Sequence, residues 1–405
     1  MAANKASEKT EFYVRPASID IGNDTTKAVI GEYNGLKTPI PNILVEAAAE
    51  RDILNYEKTP LEGLHVEIVS SALTNGKFVG YVGSLAAKEK HKTELVKNKK
   101  TESDQTFIMM LTALAVDAVT CGKFEADEEQ VYHARYLPST GVPIAEAKKA
   151  GAKKKFKDRI INGIHSVKFL QTPEFEGKKV IFDFVDAVIN NEGQAASIDL
   201  TTNPDGSSKN PELEDMDFMI HDIGALTSDK AILTVDEGID NTNSLGEEFG
   251  VGTTLDAIIR EVATDLDYQI KSRRECADIL THSKSAERYM VYVNGKPKSI
   301  KEIADKHLKN LALREYNSID LGWQAVPALR RCYVIGGGAL LLKSYIEEIN
   351  QARNAYPLYF LEDDIEIENN GKTVKYKKSV WIIAQSYYIL LHMYAAAKGI
   401  TLTEG

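Results

Sequence analysis

The sequence predicts an α/β protein built from two related halves that enclose a ligand cleft. Three observations carry that expectation. The first is an internal repeat. Asp20-Ile-Gly-Asn-Asp-Thr25 matches Asp222-Ile-Gly-Ala-Leu-Thr227 at four of six positions, at a shift of 202 residues in a 405-residue chain. Ile30 and Ile232 continue the match at the same offset. Internal self-similarity marks duplicated architecture. The second is context: each copy sits where one apolar strand pattern turns back into another, Ala17–Ile21 into Lys27–Tyr33 and Met216–Asp222 into Lys230–Val235. The third is order, because both halves then mix strand and helix patterns, as sheets covered by helices require.

The elements follow along the chain. Residues 1–12 read as a disordered lead-in. After the first strand pair, a Pro-punctuated polar region from Asn34 to Lys100 carries strand signals at Val66–Ser70 and Phe78–Val82. Thr106–Thr120 has the apolar spacing of a core helix, Tyr132–Leu137 that of a strand, and Ile144–Arg159 that of a basic helix. His165–Leu170 and Lys179–Val188 read as strands. In the second half Thr254–Thr264 is a helix, and a mixed segment, 265–329, contains a hairpin signal at Asn294-Gly295. Arg331–Ile335 is a strand running through Gly336-Gly337-Gly338 into the helix Leu340–Asn350. Residues 365–376 alternate apolar and polar around Asn370-Gly371, a second hairpin, and Val380–Ala397 is a long apolar helix.

Composition excludes several classes. With 43% hydrophobic and 27% charged residues, the chain is neither collagen-like nor low-complexity nor wholly disordered. Its length suits two or three domains with ample core. A net charge of −10 lacks the positive field that direct nucleic-acid binding needs. The lysine run from Lys148 to Lys157 reads as a solvated helix face, and Trp323 and Trp381 as packing residues. Cys121, Cys276 and Cys332 are odd in number and show no CxxC spacing, which predicts reduced, buried thiols in a cytoplasmic protein. The polar N-terminus has no signal-peptide pattern. Gln385, Ser386 and His392 interrupt the apolar stretch near the C-terminus, so a buried helix is expected there and no membrane partner.

The two repeated turns have a chemistry. Gly22 and Gly224 let phosphate oxygens approach the backbone, whose N–H groups in a tight turn form an anion nest. Around them Asn23, Asp24, Thr25 and Thr26 in the first turn, and Ala225, Leu226 and Thr227 in the second, supply backbone and hydroxyl donors. Lys27 adds a point charge for the β or γ phosphate. Asp20 and Asp222 would repel phosphate, so their presence implies Mg²⁺ held largely through water. The alternative is a pair of plain hairpins with capping carboxylates. The glycines 336–338, followed by Ala339, could on their own be a tight strand-to-helix turn, but after two phosphate hairpins they fit a backbone lying against a nucleoside better.

This ordered set resembles the actin-like ATPase superfamily. Asp20–Lys27 resembles its first phosphate motif, Asp222–Asp229 its second, and Gly336–Ala339 its adenosine motif. Thr140-Gly-Val-Pro143, the basic helix, Gly163–Val167 and Asn191-Glu192-Gly193-Gln-Ala195 resemble the ParM-type plasmid-segregation branch. The resemblance implies ribonuclease H-like duplicated domains around a nucleotide cleft. The first would span 13–178, with an inserted subdomain at about 34–100, completed by a C-terminal helix at about 378–400. The second would span 179–377, with an insertion at about 265–329. It implies ATP, with GTP tolerated, and Mg²⁺ as cofactors, and Glu192 and Asp222 as catalytic residues, Glu192 orienting the attacking water. Its own copies in a filament and a DNA-binding adaptor are the implied partners. A small-molecule kinase and a non-polymerising scaffold are the rival readings.

Overall fold

The computed structural model describes residues 13–50, 57–89, 93–94, 99–369 and 372–403. The expected lead-in and the Asn370-Gly371 turn lie outside the described residues.

Two large sheets repeat one topology. In the first, strand Arg15–Ile21 runs antiparallel to Thr25–Ile30 and parallel to Val131–Val142. In the second, Phe218–Ile223 runs antiparallel to Ser228–Thr234 and parallel to Arg331–Ile335. A further parallel strand follows in each, Val188–Asn191 in the first and Leu358–Phe360 in the second. The hairpin registers correspond as well. Asp20 lies opposite Lys27, and Asp222 lies opposite Asp229. The central strands Arg15–Ile21 and Arg331–Ile335 are buried almost throughout, as strands covered on both faces are.

Each sheet has its own core. The first gathers Ile19, Phe107, Met109, Tyr136 and Phe169 between the sheet and the helix Asp104–Thr120. The second gathers Met219, Ile258, Leu308, Tyr316 and Ile346. A smaller cluster joins the halves: Ile144, Ala196, Ile220, Ile335, Ile382 and Tyr387 pack together. The C-terminal helix Lys378–Lys398 lies on the strand Arg15–Ile21 and on the short helix Ala196–Thr201. By length and composition it could cross a membrane. Here it is a core element, with Trp381 and Tyr387 wholly buried. Truncating Trp381 to Ala would cost about 3–5 kcal/mol.

Several expectations need correction. The basic helix is two helices, Ile144–Ala147 and Ala152–Ile161, because Gly151 between them takes a left-handed φ of +77°. Its lysines keep solvent exposure at Lys148, Lys149, Lys154 and Lys155, with Lys148 also donating to the carbonyls of Asn241 (2.8 Å) and Ser244 (2.7 Å), while the half-buried Lys157 pairs with Asp186 at 2.5 Å. The expected strand Lys179–Val188 is two strands, Lys179–Phe184 and Val188–Asn191, and Asp186, between them, also accepts from Tyr394. Both pieces pair with Val131–Val142, one beyond the other. Cys121 is only half-buried, whereas Cys276 and Cys332 are buried. The 34–100 segment adds to the first sheet, where His65–Ser70 pairs with His165–Phe169. In the 265–329 segment the long helix Lys301–Ala325 belongs to the second core, through Leu308, Tyr316 and Ile319.

Candidate functional site

The two repeated turns face one cavity. Asn23 from the first turn and Leu226 and Thr227 from the second line it, with Lys100, Glu146 and Asp229.

The first turn is held from outside. Asn42 donates through Nδ2 to the Gly22 carbonyl (2.8 Å) and through its backbone N–H to the Asp24 carbonyl (2.8 Å). Gln105, on the helix behind, donates to both Asn42 oxygens. A Cβ on Gly22 would meet the Thr25 carbonyl oxygen at 2.7 Å, so the turn closes only around a glycine. Lys27 is buried and its Nζ lies 2.7 Å from Asp20 Oδ2. Thr26 is buried, Thr25 half-buried, and Asp24 exposed.

The second turn is held by a helix. Gly224 donates its own N–H to the Thr227 carbonyl at 2.9 Å, which closes the turn on itself. Val251 and Gly252, at the start of the helix Val251–Leu266, donate to the carbonyls of Gly224 (3.1 Å) and Ala225 (2.7 Å). Helix-terminal N–H groups that lack partners within the helix are thereby satisfied. Side chains at 250 or 252 would meet these turn carbonyls at under 3 Å.

The three consecutive glycines have three different surroundings. Gly336 takes a φ of +88°, and a Cβ there would lie 2.4 Å from Asp222 Oδ1. Gly338 packs against Ile223 and Val251, and Ala339 is buried in the second core. Gly337 alone is exposed and faces open space.

Glu192 lies between the turns, just past the strand Val188–Asn191. It is buried, its N–H donates to the Val142 carbonyl at 2.9 Å, and its carboxylate pairs with the Lys100 ammonium. Burial pushes its pKa up to about 7, helped by Asp20 and Asp222 and opposed by Lys100. Burial and the neighbouring Asp20 push Asp222 up to about 6. Burial, Glu192 and Asp222 push Asp229 up to about 8. Asp229 Oδ1 accepts from the Ile144 N–H at 3.2 Å, a bond between the halves. Four carboxylates, Asp20, Glu192, Asp222 and Asp229, thus face two ammonium groups, Lys27 and Lys100. Such crowding favours protonation or a cation. Asp20 and Asp222 offer hard carboxylate oxygens of the kind a hydrated divalent ion accepts, and the ionisation of Asp222 is already opposed by burial and the neighbouring Asp20.

Sequence reasoning missed Lys100, Asn42 and the glycines 250 and 252. The spacing Gly250-Val-Gly252 ahead of an amphipathic helix was a usable signal. Lys100 had none, standing beside Lys99 in a polar loop.

Two duplicated sheets with a nucleotide-type turn in each define the actin-like fold, as the motifs implied. Residues 217–361 match the family model of the Alp7A C-terminal domain. The fold is similar over nearly the whole chain to that of the actin-like protein Alp7A, with a TM-score of 0.70 and 18% identity, covering 95% of this chain and 97% of that one. ParM of Bacillus thuringiensis with AMPPNP aligns with a TM-score of 0.66 and 20% identity, over 95% of this chain and 99% of that one. ParM in a 15-stranded filament from Clostridium botulinum aligns with a TM-score of 0.67 and 15% identity, over 94% and 100%. Comparison with curated proteins returns no match.

Proposed function

We propose that this chain is a cytoplasmic ATPase that polymerises into filaments and moves plasmid DNA through an adaptor protein. The observation that carries the reading is convergence: residues of both phosphate-type turns line one cavity at the join of the halves, and Glu192 is tied to it through Lys100, a lining residue. The similar ParM structures hold AMPPNP and ATP, and a similar ParM forms a filament. In this reading the turns 22–27 and 224–227 cradle the phosphates of ATP, or of GTP, and the segment 336–339 lies along the nucleoside. The first unit takes in the strands Lys179–Phe184 and Val188–Asn191, which pair with Val131–Val142, so its boundary falls after residue 191 and not at 178; the second unit then runs to 377, and the helix Lys378–Lys398 completes the first.

Asp20 and Asp222 would hold hydrated Mg²⁺, which would supply positive charge against the oxygens of the transferred phosphoryl group. Glu192, with a pKa near 7, is matched to accepting a proton from water at neutral pH and to fixing that water's orientation. Phosphoryl transfer needs little covalent help from the protein, so positioning accounts for most of the acceleration. The γ-phosphate is the group both turns grip at once, so ATP favours a closed cleft. A ligand shifts such an equilibrium only by its differential affinity for the two states.

Sedimentation with ATP, a non-hydrolysable analogue and ADP at matched protein concentration tests this reading. Pelleting is expected with the first two and not with ADP. Glu192→Ala should still assemble while phosphate release slows by about ten- to ten-thousand-fold. Equal pelleting in all three nucleotides, or none at any concentration, would overturn the nucleotide switch and favour a kinase.

A further inference from the structure

Lys100 has a place in the site that none of the sequence motifs explains. It belongs to neither turn, yet it is buried and its ammonium meets the Glu192 carboxylate. It also lies within the electrostatic reach of Asp20 and Asp229. Burial alone would lower its pKa. The three carboxylates outweigh that and hold it above the ordinary lysine value, so the side chain is charged.

Its backbone is fixed with unusual care. Glu146 accepts from the Lys100 N–H (2.9 Å), the Thr101 N–H (3.2 Å) and the Thr101 hydroxyl (2.9 Å). Arg159 Nη1 donates to the Thr101 carbonyl at 2.6 Å. A long, rotatable side chain therefore projects from a pinned loop into the cavity shared by Asn23 and Thr227. The ammonium offers three donors, and its partner here is a carboxylate. While that pair holds, the Glu192 oxygen that Lys100 engages is occupied.

We propose that Lys100 is a γ-phosphate sensor: without nucleoside triphosphate it restrains Glu192, and with it the ammonium moves to the γ-phosphate and releases the carboxylate for water. The inference rests on the nucleotide reading above. A terminal phosphate carries more negative charge than one carboxylate and accepts through three oxygens, so it competes for the lysine. A diphosphate leaves the γ position empty, and Lys100 returns to Glu192. One residue would then couple the chemical state of the ligand to the readiness of the water-orienting group.

The test measures ATP and ADP affinity by calorimetry, with Mg²⁺, for the wild-type chain, Lys100→Met and Lys100→Arg. Loss of one charge-assisted contact predicts a roughly ten- to hundred-fold fall in ATP affinity for Lys100→Met, with ADP affinity unchanged. Lys100→Arg should restore part of the ATP preference. An unchanged ATP-to-ADP ratio in Lys100→Met, or an equal fall for both nucleotides, would overturn the proposal. Unfolding of Lys100→Met by circular dichroism would assign the lysine to the fold and overturn it as well. Failure of the wild-type chain to bind either nucleotide is a different outcome, because it removes the ATPase reading itself.

Discussion

The two phosphate-type hairpins are alike in shape and unlike in charge. Each runs from an aspartate through a glycine to a threonine, with the same register between its strands. The first contains its own counter-charge, Lys27, 2.7 Å from Asp20. At the matching place the second has Asp229 opposite Asp222. Their supports differ too. Side chains hold the first turn through Asn42 and Gln105, and helix N–H groups hold the second. Duplication preserved the backbone that makes a turn, while charge diverged. The second half is the acidic side of the cleft, and the compensating Lys100 comes from the first half.

Removing the paired aspartates separately would break this comparison most sharply. Asp20→Ala and Asp222→Ala should each abolish Mg-dependent turnover, with nucleotide affinity falling about ten- to hundred-fold. Asp20→Ala also frees Lys27, whereas Asp222→Ala frees no cation. With EDTA in place of Mg²⁺, Asp20→Ala should therefore bind nucleotide more tightly than Asp222→Ala. Wild-type turnover in either variant, with its circular dichroism intact, would remove that carboxylate from the site.

The turn glycines give a smaller contrast. A Cβ on Gly22 would lie 2.7 Å from the Thr25 carbonyl oxygen, and one on Gly224 would lie 3.0 Å from that of Thr227. Backbone cannot yield as a flexible side chain can. Gly22→Ala should cost about 1–3 kcal/mol, the range for overpacking, and Gly224→Ala less than about 1 kcal/mol. Thermal unfolding of the two variants checks the order, and a reversed order would show that the second turn is the tighter one.

What was legible in the sequence was whatever depends on local pattern. The repeat exposed both hairpins, and the strand Arg331–Ile335 has the bounds its apolar run predicted. The Gly-rich junction was visible, but not that Gly336 yields to Asp222 and Gly338 to Ile223, because those contacts come from a strand more than a hundred residues away. The break at Gly151 was overlooked because the lysines around it keep a helical composition across a residue that turns left-handed. Lys100 was invisible for a related reason. Its meaning lies in Glu192, 92 residues on, and in the Glu146 clamp that aims it. Aspartates in a motif declare themselves, whereas a lysine brought in by folding does not.

The charge contrast has a last and gentler consequence, in the pH dependence of stability. Asp229 keeps its proton in the folded chain up to about pH 8, because burial, Glu192 and Asp222 all oppose its ionisation. In the unfolded chain it releases that proton near the ordinary aspartate value of about 4. The folded state therefore binds more protons between those limits, and stability falls as pH rises through them. Glu192 and Asp222, at about 7 and about 6, act in the same sense over narrower windows. Asp229→Asn removes the widest window and keeps an oxygen to accept the Ile144 N–H. Without nucleotide, the variant should melt a few degrees above wild type at pH 8.5, the shift expected from about 1–2 kcal/mol in a chain of this size. The advantage should shrink as pH falls towards 5, where both forms are neutral in the fold. A melting difference that stays constant from pH 5 to 8.5 would mean that the ionisation of Asp229 is not what the cleft resists. The acidic character of the second hairpin would then rest on Asp222 alone.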